Sequence, residues 1–134
     1  MKYLVDTNIL VYLMNAKSKL LELKFSLYST KDFAVSIITV AELLYGAKKS
    51  VHVERNLNAV FKILSTFEIV DFTSKDTVEY ATIRAELEAS GKIIGPNDLL
   101  IAAQAKRLNC TVVTANVKEF DRVKNLKVEN WAHL

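Results

Sequence analysis

Lys2-Tyr3-Leu4-Val5-Asp6-Thr7-Asn8, residues 2–8, is an apolar run that stops at an acid and passes straight into two residues able to cap a helix. Such a run reads as a short buried strand, Lys2–Asp6. Thr7 or Asn8 then caps a helix reaching about Asn15. The segment Thr111–Thr114 is β-branched throughout and reads as a second, fully buried strand. Between them, Phe33–Val35 and Glu68–Phe72 are further strand candidates, each set off by helical stretches, and Leu126–Val128 is a candidate edge strand. Strands separated by helices pair in parallel through right-handed crossovers. The expected fold class is α/β, a three-layer α/β/α sandwich with a central parallel sheet.

The helical stretches fall at Lys17–Tyr28, after Ser36, at Val53–Thr66, from Thr73 to about Ser90, and from Asp98 to Leu108. In the helix after Ser36, Ile37, Val40, Ala41 and Leu44 have the spacing of one buried face, and Gly46 sits where a terminating glycine belongs. Leu57, Val60, Phe61 and Leu64 repeat that spacing. Thr73 with Asp76 forms a capping-box pattern, and Tyr80, Ile83 and Leu87 give the inner stripe of the helix it opens. Gly91–Pro96 is a loop, after which Asn97 is placed to cap.

A length of 134 residues fits a single domain, 1–134, with one core. Half the residues are hydrophobic and 25% are charged, which is a globular rather than a disordered composition. No apolar run approaches the roughly 20 residues of a membrane helix, and the N-terminus lacks the cleavage pattern of a secretion signal. Cys110 is the only cysteine, which excludes an intrachain disulfide and points to a reducing, cytoplasmic compartment. The net charge of +3 says little by itself. With Asp6, Glu42 and Asp98 masked by a cation, 18 basic residues face 12 acidic ones, a balance that suits a phosphate backbone as well as it suits ordinary solvated lysines.

Open α/β sheets place their sites at the carboxyl ends of the strands, where the strand order switches. Asp6 ends the first strand and Asn116 follows the Thr111–Thr114 strand. Taken singly, each acid has a plain structural reading. Asp6 can be a helix cap, Glu42 a solvated flank residue at the margin of an apolar stripe, and Asp98 a charge complementing a helix N-terminus. Taken together they form a set of oxygen ligands of the kind Mg²⁺ and Mn²⁺ prefer. His52 and His133 have no partners at metal-ligand spacing, and Cys110 stands alone, so nothing points to a soft-metal site. An aspartyl-phosphatase reading fails because no second Asp stands two residues after Asp6.

Four segments carry a resemblance: YLVDTNILVYLM from Tyr3, SIITVAELLYGAKKS around Glu42, GKIIGPNDLLIAAQAKRLN around Asp98, and TVVTANVKEFDRVKNLKVENW from Thr111. In these segments the chain resembles the PIN-domain ribonuclease toxins of the VapC family. The resemblance implies a PIN fold, dependence on Mg²⁺ or Mn²⁺, and cleavage of structured RNA such as a tRNA anticodon loop. It also implies a cognate VapB-type antitoxin that blocks the site, promoter DNA reached only through that antitoxin, a homodimer, and higher-order assembly with the antitoxin. By motif, Asp6 and Asp98 match the metal-binding acids and Glu42 the third active-site acid. Asn116 stands where many members carry a fourth acid. Glu119 is near enough to compensate, and Thr114 can add a hydroxyl to the same wall, although it also reads as a buried strand residue. Arg55, Arg84 and Arg107 are candidates for holding the RNA backbone. The rival reading is a PIN-like module that binds RNA or a partner without catalysis. Apolar and aromatic residues such as Leu13 and Tyr45, placed on exposed helices, support association.

Overall fold

The computed structural model describes residues 1–132, so His133 lies outside the described residues. Along the chain run β1 (Tyr3–Val5), α1 (Thr7–Met14), α2 (Lys19–Ser26), a 3₁₀ turn (Thr30–Asp32), β2 (Phe33–Ser36), α3 (Ile37–Lys48) and α4 (Val53–Leu64). They are followed by β3 (Glu68–Val70), α5 (Ser74–Ala89), α6 (Pro96–Leu108), β4 (Thr111–Val113), α7 (Val117–Phe120) and β5 (Val128–Glu129). The five strands form one sheet in the order β3-β2-β1-β4-β5, and every pairing is parallel. The chain builds outward from β1 on one side, then crosses and builds outward on the other. The order therefore switches between β1 and β4, whose ends are aligned by the pairing of Val5 with Val113.

Strand alternation divides the core into the expected layers. Leu4, Ala34 and Val112 face a cluster filled by Ile83 and Leu87 of α5 and by the apolar face of α6. Val5, Val35 and Val113 face the opposite cluster, filled from α1 to α4 by Ile9, Leu10, Leu21, Leu43 and Val60 and closed by Trp131.

Several boundaries and caps differ from expectation for identifiable reasons. Asp6, rather than Thr7 or Asn8, caps α1, because its own extended backbone ends the strand and its side chain accepts from the Thr7 N–H. Gly95 caps α6 with Pro96 in the first helical position, where a missing N–H costs nothing, so Asn97 is already inside the helix. In α3 the buried residues are Thr39, Leu43 and Ala47, while Ala41 is exposed. That face continues the inward direction of Ser36, which caps the helix. The helix is apolar nearly all round, so spacing alone does not set its phase. In α4 Val60 is buried but Phe61 is 57% exposed. Gly46 does not end α3, which runs on to Lys48. The edge strand is Val128–Glu129 rather than Leu126–Val128, because Val112 pairs with Val128.

Two buried polar links hold α6 in place. Ser36 Oγ donates to Gln104 Oε1 and accepts from the Ile38 N–H at 3.0 Å, and Gln104 Nε2 donates to the Val70 carbonyl at 3.2 Å. Gln104 thus joins the ends of β2 and β3 to α6, and it has no exposed surface. On the outer side, the Arg107 guanidinium binds the fully buried Asp76 carboxylate, tying α6 to α5. Asp76 also accepts from the Thr73 N–H at 2.7 Å, as the capping-box pattern required.

Candidate active site

Asp6 lies at the end of β1 and is 3% exposed. One carboxylate oxygen accepts from the Thr7 N–H at 2.8 Å, and the other accepts from the Thr114 hydroxyl at 2.7 Å. Thr114 Oγ1 in turn accepts from the Asn116 N–H at 2.9 Å. Asn8 Oδ1 accepts from the Ala115 N–H at 3.0 Å, so the turns after β1 and β4 are stitched together across the switch point. The cap reading and the site reading of Asp6 are therefore compatible: capping occupies one oxygen and fixes the carboxylate at the sheet edge.

Thr7 Oγ1 stands 2.7 Å from Glu42 Oε1 and 3.1 Å from Thr39 Oγ1. The Thr7 hydroxyl has one proton, which goes to the carboxylate, so the Thr39 hydroxyl is the donor of the second pair. This relay orients Glu42 from α1 and from its own helix. Asp98 sits on the first turn of α6, half-buried.

Asp6, Thr7, Asn8, Glu42, Asp98 and Asn116 line one pocket of about 260 Å³ at the carboxyl ends of the strands. Glu119, on the short α7, stands close to the Asp98 carboxyl and adds charge from the side. Burial pushes the Asp98 carboxyl up to about 8, helped by the neighbouring Glu119 carboxyl and by the charges of Asp6, Glu119 and Glu42. Burial also raises Asp6. The bonds from Thr114 and Thr7 pull it back, and Glu42 and Glu119 push it up again. Four carboxylates thus act on one another here, and the pocket's lining contains no Lys or Arg. Arg84 is engaged with Glu88 and Tyr80 on α5, and Arg107 with Asp76, so neither faces the acids. Arg55 lies on α4, outside the lining.

The donor set suits a hard divalent cation: carboxylates, amide carbonyls and hydroxyls, with negative charge in excess. Among the described residues no three His, Cys, Asp or Glu side chains are already drawn tightly enough to grip an ion. The fit lies in chemistry and charge, with the carboxylates facing a common space.

The PIN domain family model matches residues 3–126. The chain is 46% identical over 132 residues to the ribonuclease VapC2 of Rickettsia felis, covering 98% of both chains. The chain belongs to the VapC family of PIN-domain ribonucleases. It is also 36% identical over 131 residues to a tRNA(fMet)-specific endonuclease VapC of Salmonella typhimurium, again covering 98% of both. Among solved structures, the DNA-bound VapBC of Salmonella typhimurium superposes with a TM-score of 0.93 at 36% identity, covering 98% of each chain. The VapBC2 of Rickettsia felis, bound to a promoter DNA fragment, gives 0.91 at 44% identity, covering 98% of this chain and 99% of that one.

Asp6, Glu42 and Asp98, the three acids that stand out in the sequence, are gathered by the fold around one pocket. Asn116 lines it as well, Thr114 binds Asp6 from beneath, and Glu119 reaches Asp98. Thr7 and Asn8 read as caps in the sequence, yet both line the pocket, and they stand directly after the acid in the Asp6-Thr7-Asn8 triplet. Gln104 is a further residue that the motifs do not single out, although a lone amide inside the apolar run Leu99–Ala105 is a signal of a buried polar link.

Proposed function

We propose that this chain is a Mg²⁺- or Mn²⁺-dependent endoribonuclease toxin that cuts structured RNA of the tRNA class and is neutralised by a VapB-type antitoxin. The observation that carries the catalytic reading is the meeting of Asp6, Glu42 and Asp98, with Glu119 beside them, around one pocket where the strand order switches. Support for the substrate class comes from the tRNA-cleaving relative, and for the antitoxin from the similar VapBC complexes.

In this mechanism Asp6 and Asp98 would hold the cation, with Asn116 and Glu119 able to complete the oxygen set from the β4 side. Once bound, the cation would supply activation of water and neutralisation of phosphate charge. Asp6 is fixed by Thr7 and Thr114, so its unshared lone pairs point into the pocket without reorganisation at the moment of reaction. Glu42, held by Thr7, orients the attacking water and takes its proton. The new bond joins the water oxygen to phosphorus, the bond from phosphorus to the leaving ribose oxygen breaks, and that oxygen takes a proton from solvent. Recognition of RNA rests on the shape of a splayed loop and on its 2′-hydroxyls.

Association has its own surface. Leu13, half-buried, together with Phe25, Tyr28, Phe33, Ile63 and Phe67, lines an apolar groove of about 450 Å³ formed by α1, α2 and α4. Such a groove suits the apolar face of an antitoxin helix. Tyr45 is 66% exposed on α3 and is available to a second copy of the chain in a closed two-fold dimer. Among the described residues no helix is long and apolar enough to cross a membrane. The test is incubation of a tRNA pool with the purified chain in Mg²⁺, in Mn²⁺ and in EDTA, with and without a VapB-type antitoxin. Cleavage confined to the metal-containing, antitoxin-free reactions is expected. Cleavage that persists in EDTA counts against the metal-dependent reading.

A further inference from the structure

Gly46 lies inside α3, and glycine is the costliest helix residue short of proline. Neither of the usual reasons for keeping one applies. Its backbone is not at positive φ, and a Cβ built there would meet nothing within 4 Å. The space such a Cβ would enter is a pocket of about 250 Å³ lined by Gly46 with Met14, Asn15, Asn56, Thr7 and Glu42 among others. Thr7 and Glu42 line the acidic pocket too, so the two cavities meet across the Thr7–Glu42 hydrogen bond. The remaining wall is aliphatic. Asn56 Nδ2 donates to Ser50 Oγ at 2.8 Å, which leaves the Asn56 carbonyl oxygen to accept.

An apolar slot with amide groups, opening beside a phosphodiester-cleaving centre, matches the chemistry of a nucleobase held next to the phosphate that is cut. We infer that this pocket is a nucleobase subsite, receiving the base of a nucleotide next to the phosphodiester that enters the acidic pocket, and that Gly46 keeps it open. The inference rests on the ribonuclease reading and adds to it a determinant of which RNA position is cut.

The test compares kcat/KM with Mg²⁺ for the wild-type chain and Gly46→Leu on RNA stem-loops, one intact and the others each lacking one loop base. For the wild type, removal of one particular loop base should lower kcat/KM roughly tenfold. Gly46→Leu should lose a similar factor on the intact RNA and nothing further when that base is missing, because both changes delete the same contact. If the losses multiply, or if Gly46→Leu cuts like the wild type, the subsite is wrong while the ribonuclease reading stands. If the wild-type chain cuts no RNA, both fall together. Gly46→Ala guards against a folding artefact. It should melt at or above the wild-type temperature and show the same pattern more weakly, and a lower melting temperature would make the glycine structural and overturn the proposal. Normal cutting by Gly46→Leu with loss of inhibition by a VapB-type antitoxin would give the pocket to the protein partner instead.

Discussion

Thr7 Oγ1 donates to Glu42 Oε1 across 2.7 Å and 35 positions of sequence, and this bond fixes an acid on α3 from the first turn of α1. Thr7→Val removes the donor while keeping the side chain's shape. Cleavage should fall about 10- to 100-fold, mainly in kcat, since a bond to a charged acceptor carries about 1.5–3 kcal/mol. Thr7→Ser should retain most activity. Equal activity in the Val and Ser variants would mean that Glu42 needs no such anchor.

The crowding of carboxylates around Asp98 predicts a stability effect in EDTA. Its native carboxyl is pushed up to about 8, above the unfolded value near 4. Between those values the native state binds the extra proton, so this group's ionisation erodes stability as pH rises through the window. Asp98→Asn should therefore raise the melting temperature more at pH 8 than at pH 4. A shift that is the same at both pH values would contradict the crowding described for this site.

Much of this arrangement was legible in the sequence, and the illegible parts share a cause. Asp6 and Asp98 stand out because each has a local context that positions it: a strand end and the first turn of a helix. The parallel sheet followed from strands separated by helices. The partnership of Thr7 with Glu42 was hidden because it depends on how α1 and α3 cross, which no local spacing encodes. The phase of α3 was hidden because its apolar residues go round the whole helix, so the face containing Thr39, Leu43 and Ala47 is chosen by contact with the sheet. Glu119 stands out by its nearness to Asn116, but its approach to Asp98 was hidden, because a four-residue helix leaves no periodic signature.

Gln104 acts on the site at a distance by holding α6 against the ends of β2 and β3. Gln104→Leu leaves the Ser36 hydroxyl and the Val70 carbonyl without this partner, at about 1–3 kcal/mol for each orphaned group. We expect a lower melting temperature together with a drop in kcat that exceeds any change in KM, because Asp98 rides on the loosened helix. Melting and steady-state cleavage measured side by side test this. Full kcat with a lowered melting temperature would confine Gln104 to the fold.

Asp76 and Arg107 give an acid-sensitive lock on the opposite end of α6. Burial alone would raise the Asp76 carboxyl, but the Arg107 bond, the Thr73 N–H and the guanidinium charge outweigh it and hold the group below its usual range. The stability it contributes is present above the unfolded value near 4 and is lost as pH falls towards the depressed native value. Asp76→Asn should cost about 1–3 kcal/mol near neutrality, since the bond it removes is to a charged group and the freed Arg107 stays partly open to solvent. In urea titrations its deficit against the wild type should shrink below pH 4. A deficit that does not change with pH would mean that packing, not charge, is what the substitution removes.

The most direct measurement for a metal-dependent nuclease centre is Mg²⁺-dependent cleavage of a tRNA pool by Asp6→Asn, run beside a thermal melt. Asn caps a helix as well as Asp does, so a purely structural Asp6 predicts wild-type cleavage and an unchanged melt. A metal-holding Asp6 predicts a loss of several orders of magnitude in rate, because Asn removes a ligand charge, with melting unchanged or raised as the repulsion from Glu42 and Glu119 is relieved. Undiminished cleavage by the Asn variant would contradict a metal-holding role for Asp6 and, with it, the catalytic centre proposed for this chain.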